Sequence, residues 1–210
     1  MIKFGHAISR LRVLLIHIYS MSCDKKSKTK IKLLGGMYLK KNVNVITEYD
    51  GKQIVMISDI RFKGKTREEW NEVEEYLKEY IGTCYEIAET AEKIYIGKDF
   101  PDEFTHGKDK TIIKGPNAKA KANASQAVGE LIQIATNKSI ADDYNSKHKK
   151  KAKYGWYRYD TRLGLPIYNI QGEIERYNIF KLRMLVRHDA DGNLYLYDFL
   201  RTKKEMSSPL

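Results

Sequence analysis

The pattern of apolar and polar positions predicts short strands and one helix in the first half of the chain. Between residues 43 and 60, apolar and polar side chains alternate on either side of Asp50-Gly51, a pair typical of tight turns, so we expect a β-hairpin. Residues 66–82 carry apolar side chains at helical spacing, and Thr66 is a typical N-terminal cap. A second hairpin is expected over residues 85–97.

The pattern changes in the second half from helix to strand. Residues 117–138 are rich in alanine and repeat apolar positions at helical spacing, which predicts a long helix, and a shorter helical piece is expected over 140–150. Alternation with a period of two then predicts three strands with Gly-containing turns between them. These strands are residues 154–168, 173–188 and 193–204. Hairpins and helices followed by an antiparallel meander predict an α+β fold.

Charge divides the chain into three parts. The net charge is +11, but residues 1–41 hold ten basic residues and one acidic residue, residues 42–100 are acidic and residues 101–210 are basic again. We expect a basic leader over 1–41, either an amphipathic segment or a poorly ordered one. An acidic hairpin-and-helix region and a helix-plus-sheet domain follow, unless residues 42–210 form one domain. A basic balance favours polyanionic partners.

The N-terminal segment and the two cysteines bear on location. Residues 10–23 contain an apolar stretch that is too short to span a bilayer, so no membrane association is expected. Cys23 and Cys84 stand far apart in the chain, which predicts two reduced thiols in a cytoplasmic protein. The alternative is export, because the apolar stretch resembles a weak signal peptide, although a Lys-rich run follows it at once.

The sequence contains none of the common cofactor or metal motifs. It has no P-loop, no Gly-x-Gly-x-x-Gly, no Gly-x-Ser-x-Gly and no His-Glu-x-x-His, and its five histidines are scattered. We therefore expect no cofactor, and any chemistry is expected to be metal-independent. Cleavage of RNA by its own 2′-hydroxyl suits such a chain, because it needs a general base, a general acid and cations that stabilise the phosphorane.

Residues 147–162, KHKKKAKYGWYRYDTR, combine cations, aromatic rings and one imidazole. His148 is the candidate general base. Arg158, Asp160 and Arg162 share one face of the following strand, as either a structural ion-pair row or a phosphate site. Lysines bind phosphate and aromatic rings stack on bases. The alternative is that Trp156 and Tyr154 are core residues beneath the sheet. The predicted nucleic-acid-binding residues are Lys147, Lys149, Lys150, Lys151, Lys153, Trp156, Tyr157, Tyr159 and Arg162.

Three further candidates lie on the later strands. Arg187 and His188 precede a Gly-containing turn, and Lys203 stands at the end of the last strand. Together with His148 and with Arg158 and Asp160, they are the predicted catalytic residues. The alternatives are a solvated turn tip for Arg187 and His188 and, for Lys203, a basic tail that protects the edge of the sheet.

Five stretches of the sequence carry a resemblance to a known family. They are IYIGKDFPDEF, NAKAKANASQAVGELIQIATNK, KHKKKAKYGWYRYDTR, GEIERYNIFKLRMLVRHDADGNLYLYDFL and KKEMSSPL. From residue 43 to the C-terminus, the chain resembles the phage and mobile-element barnase–EndoU–colicin–RelE-like nuclease domain, which is found at the C-terminus of large polyvalent proteins. The resemblance implies helices followed by a four-stranded antiparallel sheet of the barnase/RelE kind. It also implies His148 as the base, Arg158 and Arg187 as phosphate clamps, and Lys203 as acid or charge stabiliser.

The residues and the resemblance together predict a metal-independent ribonuclease of a phage or mobile element. Its substrate would be RNA, with tRNA among the candidates, and its use that of a toxin or effector with an immunity or antitoxin partner. The alternative is a catalytically inactive module that binds nucleic acid, or one that docks to another mobile-element protein through its acidic helix.

Overall fold

The computed structural model of the chain describes residues 42–141 and 151–205. Within these ranges eight strands alternate with short helices. The strands are β1 Val43–Thr47, β2 Gln53–Ile57, β3 Cys84–Glu86, β4 Lys93–Ile96, β5 Thr136–Ala141, β6 Gly155–Tyr168, β7 Ile174–His188 and β8 Leu194–Lys204. The helices are α1 Arg67–Lys78, α2 Phe100–His106, α3 Lys108–Ile112, α4 Gly115–Ala124 and α5 Val128–Gln133, with a 3-10 turn at Ser125–Ala127. The predicted α+β class is confirmed.

All eight described strands belong to one mixed sheet. Their order is β1-β2-β6-β7-β8-β4-β3, and β5 pairs with β6 beside β2. The long strands β6, β7 and β8 form the predicted antiparallel meander, whereas β2 pairs with β6 and β4 pairs with β8 in parallel. Strands from the acidic region and strands from the basic C-terminal region therefore share the same sheet.

Helix α1 begins where its sequence predicts. The Thr66 side chain accepts a hydrogen bond from the Glu69 N–H at 3.3 Å, and the Glu69 carboxylate accepts one from the Thr66 N–H at 3.2 Å. This reciprocal capping box satisfies backbone donors that the first turn leaves free. Trp70, Val73 and Leu77 lie on the buried face of the helix, as the helical spacing predicts.

The long helix predicted over residues 117–138 is interrupted at Ser125–Ala127 and is wrong after Gln133. Helix α4 ends at Ala124, α5 ends at Gln133, and residues 136–141 form strand β5 instead. The predicted helical piece over 140–150 also fails where it is described, because Ile140 and Ala141 pair with β6. An open edge of β6 offers unpaired backbone groups, and pairing with that edge outweighs local helix propensity.

The main core lies between the helices and one face of the sheet. Alternate residues of the meander strands point into it, among them Tyr159 and Leu163 of β6 and Leu182, Met184 and Val186 of β7. The residues between them point to the opposite side, which carries two small apolar clusters at its ends. We call the charged middle of that side the open face: Arg158, Asp160, Arg162, Lys181, Arg183 and Lys203.

Candidate nucleic-acid interface

The register of the meander brings the open-face residues together. Asp160 of β6 lies opposite Arg183 of β7, and Arg162 lies opposite Lys181. Lys181 in turn lies opposite Lys203 of β8. Residues paired directly across antiparallel strands project from the same side of a sheet. Cations from three strands therefore meet on one surface, as a sheet-borne phosphate site requires.

Asp160 is the acidic centre of the open face. Its carboxylate accepts a hydrogen bond from the Arg183 Nε at 3.2 Å and contacts the Lys181 Nζ at 3.2 Å. The Asn137 side-chain amide donates to it at 3.4 Å. Because one carboxylate meets two cations, one positive charge of this group stays uncompensated. The side chain of Lys181 is about half exposed, so that charge faces solvent.

Arg158 adds a second uncompensated charge. Its guanidinium makes no hydrogen bond or ion pair with any residue in the described ranges, and the residue is half-buried on β6. It lies two positions before Asp160 on the same side of the strand, opposite Leu185. A positioned guanidinium without a carboxylate partner can still bind a phosphate in bidentate fashion. Arg158 is therefore the cation of the open face best placed for an external ligand.

Arg162 has a structural role instead. Its guanidinium is hydrogen-bonded to Glu48, which follows β1, and donates to Glu205, which follows β8, at 3.0 Å from Nε and 2.7 Å from Nη2. Two carboxylates outweigh one cation, so Arg162 offers no net positive charge to a polyanion. The predicted Arg-Asp-Arg row does share one face, but its three residues differ in role. Arg158 has no carboxylate partner in the described residues, Asp160 is shared by two cations, and Arg162 is paired with Glu48 and Glu205.

Arg187 is predicted to be a phosphate clamp, but its guanidinium is buried and already paired with carboxylates. The residue is 5% exposed, and its guanidinium is held by Asp189 at 3.0 Å from Nη2 and by Asp99 at 3.1 Å from Nη1. Lys151 contacts the same Asp99 carboxylate at 2.8 Å. These hydrogen bonds, that of Lys151 above all, hold the pKa of Asp99 below its ordinary value. Both cations are therefore already neutralised by carboxylates.

Two of the predicted stacking residues are enclosed in the protein. Tyr159 is fully buried, and its hydroxyl donates to Glu92 at 2.8 Å. Trp156 is buried on the open-face side against Tyr197, with ring centroids 4.9 Å apart and nearly perpendicular. Neither ring has a face left for a base. For Trp156 the alternative, a position in the core, is therefore the one that the structure shows.

His188 and Tyr157 lie on the opposite side of the sheet from Arg158. Tyr157 is paired with the buried Val186 and packs against the main core, and its ring contacts that of His188. The predicted pairing of His188 with Arg158 in one catalytic site is therefore not formed in the described residues. Lys153 and Lys203 are both exposed. The predicted residues His148, Lys147, Lys149 and Lys150 lie outside the described ranges.

The sequence-based prediction did not include Lys181 and Arg183 in the site. Both lie on β7, where a period-two pattern places them on the side away from Leu182. The period-two pattern is the signal for their side of the sheet, but the turn alone does not give their partners. Counting outward from the tight turn around Gly172 would pair Leu182 with Asp160, and the register shift between Ile167 and Tyr168 pairs Arg183 with it instead.

A second charged group lies inside the protein. The Lys121 ammonium on α4 is fully buried and contacts Asp198 of β8 at 2.8 Å and Asp109 of α3 at 3.2 Å. Burial raises the pKa of Asp198 to about 7, against the effect of the nearby ammonium. This group has the perturbed carboxyl typical of many functional sites, but its Lys121 and Asp198 side chains are closed to solvent.

The described ranges also bear on metal binding, membrane insertion and the state of the cysteines. No group of three or more His, Cys, Asp or Glu side chains there could hold a metal ion. None of the helices in residues 42–141 and 151–205 has the length and apolar character needed to cross a bilayer. Cys84 is disulfide-bonded, so the prediction of a reduced thiol is wrong for it, while Cys23 lies outside the described residues. Disulfides persist mainly in oxidising compartments, which keeps export open beside a cytoplasmic location.

Comparison with known proteins adds no assignment to this geometry. No family model matches the chain, and no curated protein or solved structure matches it either. The predicted nuclease resemblance therefore stays a prediction. What the structure establishes is an α+β protein with a mixed sheet and a charged open face.

Proposed function

We propose that the chain binds RNA through the open face of its sheet. The observation that carries the proposal is the charge imbalance there: Arg158 has no carboxylate partner in the described residues, and Lys181 and Arg183 share the single carboxylate of Asp160. Lys203 extends the cationic row onto β8. Uncompensated cations on adjacent strands neutralise phosphates and release counterions, which supplies most of the sequence-independent affinity for nucleic acid.

The rigidity of the surface supports the same proposal. Strands β6 and β7 pair along almost their whole length, so the spacing of the cations is set by backbone hydrogen bonds rather than by a loop. Apolar clusters anchor both ends of this side, one around Trp156 and one around Met56 and Ile179. A preformed row of cations loses little conformational entropy when it binds a phosphate backbone.

The test is the salt dependence of RNA binding. Fluorescence anisotropy with a labelled strand of about 20 nucleotides should show affinity that falls steeply as salt rises from about 50 to 200 mM. Arg158→Ala should weaken binding about fivefold near 0.1 M salt and reduce the log–log slope by about 0.7, the value for one lost contact with a single-stranded phosphate. Arg176→Ala is the matched control, because it removes the same charge from an exposed site on β7 outside the open face.

Two results would contradict the proposal. One is wild-type protein without salt-sensitive binding to any RNA. The other is equal loss in the Arg158 and Arg176 variants, since that would make the effect one of total charge rather than of the open face.

A second candidate function is metal-independent RNA cleavage of the kind that the barnase/RelE-like resemblance implies. It is supported by the carboxylate of Asp160 standing among cations on one sheet face, since acid–base cleavage uses a proton-transfer group beside cations. Total RNA and tRNA incubated with the protein in EDTA would reveal cleavage. His148→Ala, Arg158→Ala and Asp160→Asn should abolish it or slow it at least about 100-fold, the usual contribution of one such group. If the RNA stays intact under all conditions, cleavage is contradicted and only RNA binding remains as a proposed function.

A further inference from the structure

Three rings lie in a row at the end of the sheet where β6 begins and β7 ends. The His188 ring stands between Tyr154 and Tyr157, with centroid distances of 4.9 and 5.9 Å and interplanar angles of 46° and 39°. The Tyr154 N–H donates to the His188 carbonyl at 3.2 Å, which fixes the two residues relative to each other. We call these three residues the ring row. It lies outside the open face.

Two lysines flank the ring row. The Lys138 ammonium is 4.1 Å from the centroid of Tyr157 and also pairs with Glu92. The Lys153 ammonium is 5.3 Å from the centroid of Tyr154, and no carboxylate in the described residues contacts it. Cations close to ring faces are attracted by the quadrupole of the ring. The outer rings are therefore bordered by positive charge.

The ring row is open to solvent at one end and extended by an apolar side chain. Tyr154 is 51% exposed. Ile140 of β5, which pairs with Tyr157 across the strands, is 81% exposed. Tyr154 contacts His188 and Ile140 pairs with Tyr157, so exposed apolar surface lies next to the row at each of its two ends. Exposed rings beside lysines suit a flat aromatic ligand that carries negative charge.

His188 contacts its neighbours in the row through its ring. The Nδ1 atom is buried and has no hydrogen-bond partner in the described residues. The imidazole is held by the contacts of its ring with Tyr154 and Tyr157, so it serves the row as a ring.

We propose that the ring row is a stacking platform for an unpaired base of single-stranded RNA, with Lys153 and Lys138 beside the adjoining phosphates. This inference rests on the proposed RNA binding and narrows its substrate class. Bases in a duplex are covered on both faces by their neighbours, so a tyrosine can stack only on a base that is unpaired or at a strand end. Lys153 is exposed, so it can leave the face of Tyr154 to a base and contact phosphate instead.

The first test uses adenosine monophosphate as the probe and needs no affinity for RNA. NMR of the aromatic protons should show saturable ring-current shifts at Tyr154 and His188 when the nucleotide is added. The Arg176→Ala variant should respond as the wild type does, because Arg176 pairs with Ile167 at the other end of β7 from His188. Unchanged Tyr154 and His188 resonances at saturating nucleotide would overturn the platform, whatever the protein does with RNA.

The second test compares a single-stranded RNA with the duplex of the same length. Tyr154→Ala should weaken binding of the single strand by about fivefold to 150-fold, since one base stacked on an aromatic ring is worth about 1–3 kcal/mol. It should leave duplex binding unchanged, and Tyr154→Phe should bind both as the wild type does. Tyr49→Ala, which removes another exposed tyrosine on the β1–β2 turn, is the matched control.

The outcomes separate this inference from the proposed function. Salt-sensitive RNA binding without nucleotide-induced shifts, or an equal loss for both RNAs in Tyr154→Ala, would leave RNA binding in place and overturn the platform. Nucleotide-induced shifts in a protein that binds no RNA would contradict RNA binding and retain a nucleotide site. A protein that shows neither nucleotide-induced shifts nor salt-sensitive RNA binding would contradict both proposals.

Discussion

The open face and the buried Lys121 group contain the same kinds of side chain in opposite surroundings. On the open face, two cations share the Asp160 carboxylate, and Arg158 has no carboxylate partner in the part of the chain that the structure describes. Inside the protein, the single ammonium of Lys121 meets two carboxylates, those of Asp198 and Asp109. The first arrangement leaves positive charge for a ligand, and the second uses its charge internally.

Burial decides what each group does for the protein. Ion pairs that reach solvent contribute about 0–1 kcal/mol to stability, because water screens them and ordering the side chains costs entropy. Removing one partner of a buried pair costs about 3–5 kcal/mol, because the remaining charge stays buried without compensation. Lys121 joins α4 to β8 and α3, so we assign it to stability, whereas RNA binding is proposed for the open face.

The largest expected effect is that of Lys121→Met on stability. The variant retains much of the side-chain volume and removes the ammonium, so it should lower the free energy of unfolding by about 3–5 kcal/mol in urea titrations. Lys119→Met is the matched control on the same helix, at a partly exposed position, and should change it by less than about 0.5 kcal/mol.

A double variant tests the reason for that effect. In Lys121→Met/Asp198→Asn the buried carboxylate is gone as well, so part of the lost stability should return. If the two substitutions are strictly additive, or if Lys121→Met costs no more than Lys119→Met, the buried group is not a coupled pair and the contrast with the open face fails.

The next effect is a dependence of stability on pH that comes from Asp198. Burial raises the pKa of its carboxyl in the folded protein to about 7, above the value of about 4 in an unfolded chain. Between these values the folded state holds the proton more tightly, so this group favours folding most at low pH. Its contribution to the free energy of unfolding should fall as pH rises from about 4 to about 7 and stay level above.

Urea titrations of the wild type and Asp198→Asn across that pH range measure this contribution. The stability of the wild type relative to the variant should decrease as pH rises, and the contributions of other titrating groups cancel in the difference. A relative stability that increases with pH would mean that Lys121 keeps Asp198 ionised and holds its pKa below the ordinary value.

Whether the sequence predicts a structural feature of this protein depends on how far apart along the chain the interacting residues lie. The capping box of α1 and the three meander strands follow from neighbours in the chain, and the sequence predicts them correctly. The common side of Arg158 and Asp160 also follows from the period of a strand. These features need no knowledge of tertiary contacts.

Distant contacts account for what the sequence does not predict. Lys121 stands in an alanine-rich helix where a lysine is ordinarily solvated, and its burial depends on Asp198, 77 residues later. Arg187 resembles an available cation until Asp99, 88 residues earlier, is brought beside it. Strand β5 replaces a predicted helix because the edge of β6 accepts it. In each case a partner remote in sequence decides whether a charge or a segment is free.

The smallest effects on stability are expected on the open face, where binding should change instead. Asp160→Asn and Arg158→Ala should each alter the free energy of unfolding by less than about 1 kcal/mol, because their charges lie near solvent.

Their effects on RNA binding should have opposite signs. Removing the carboxylate releases the charge of Lys181 and Arg183 and should steepen the salt slope, whereas removing Arg158 should flatten it by about 0.7. Anisotropy titrations over salt measure both slopes, and slopes that move together would show that the open face does not act as one phosphate-binding surface.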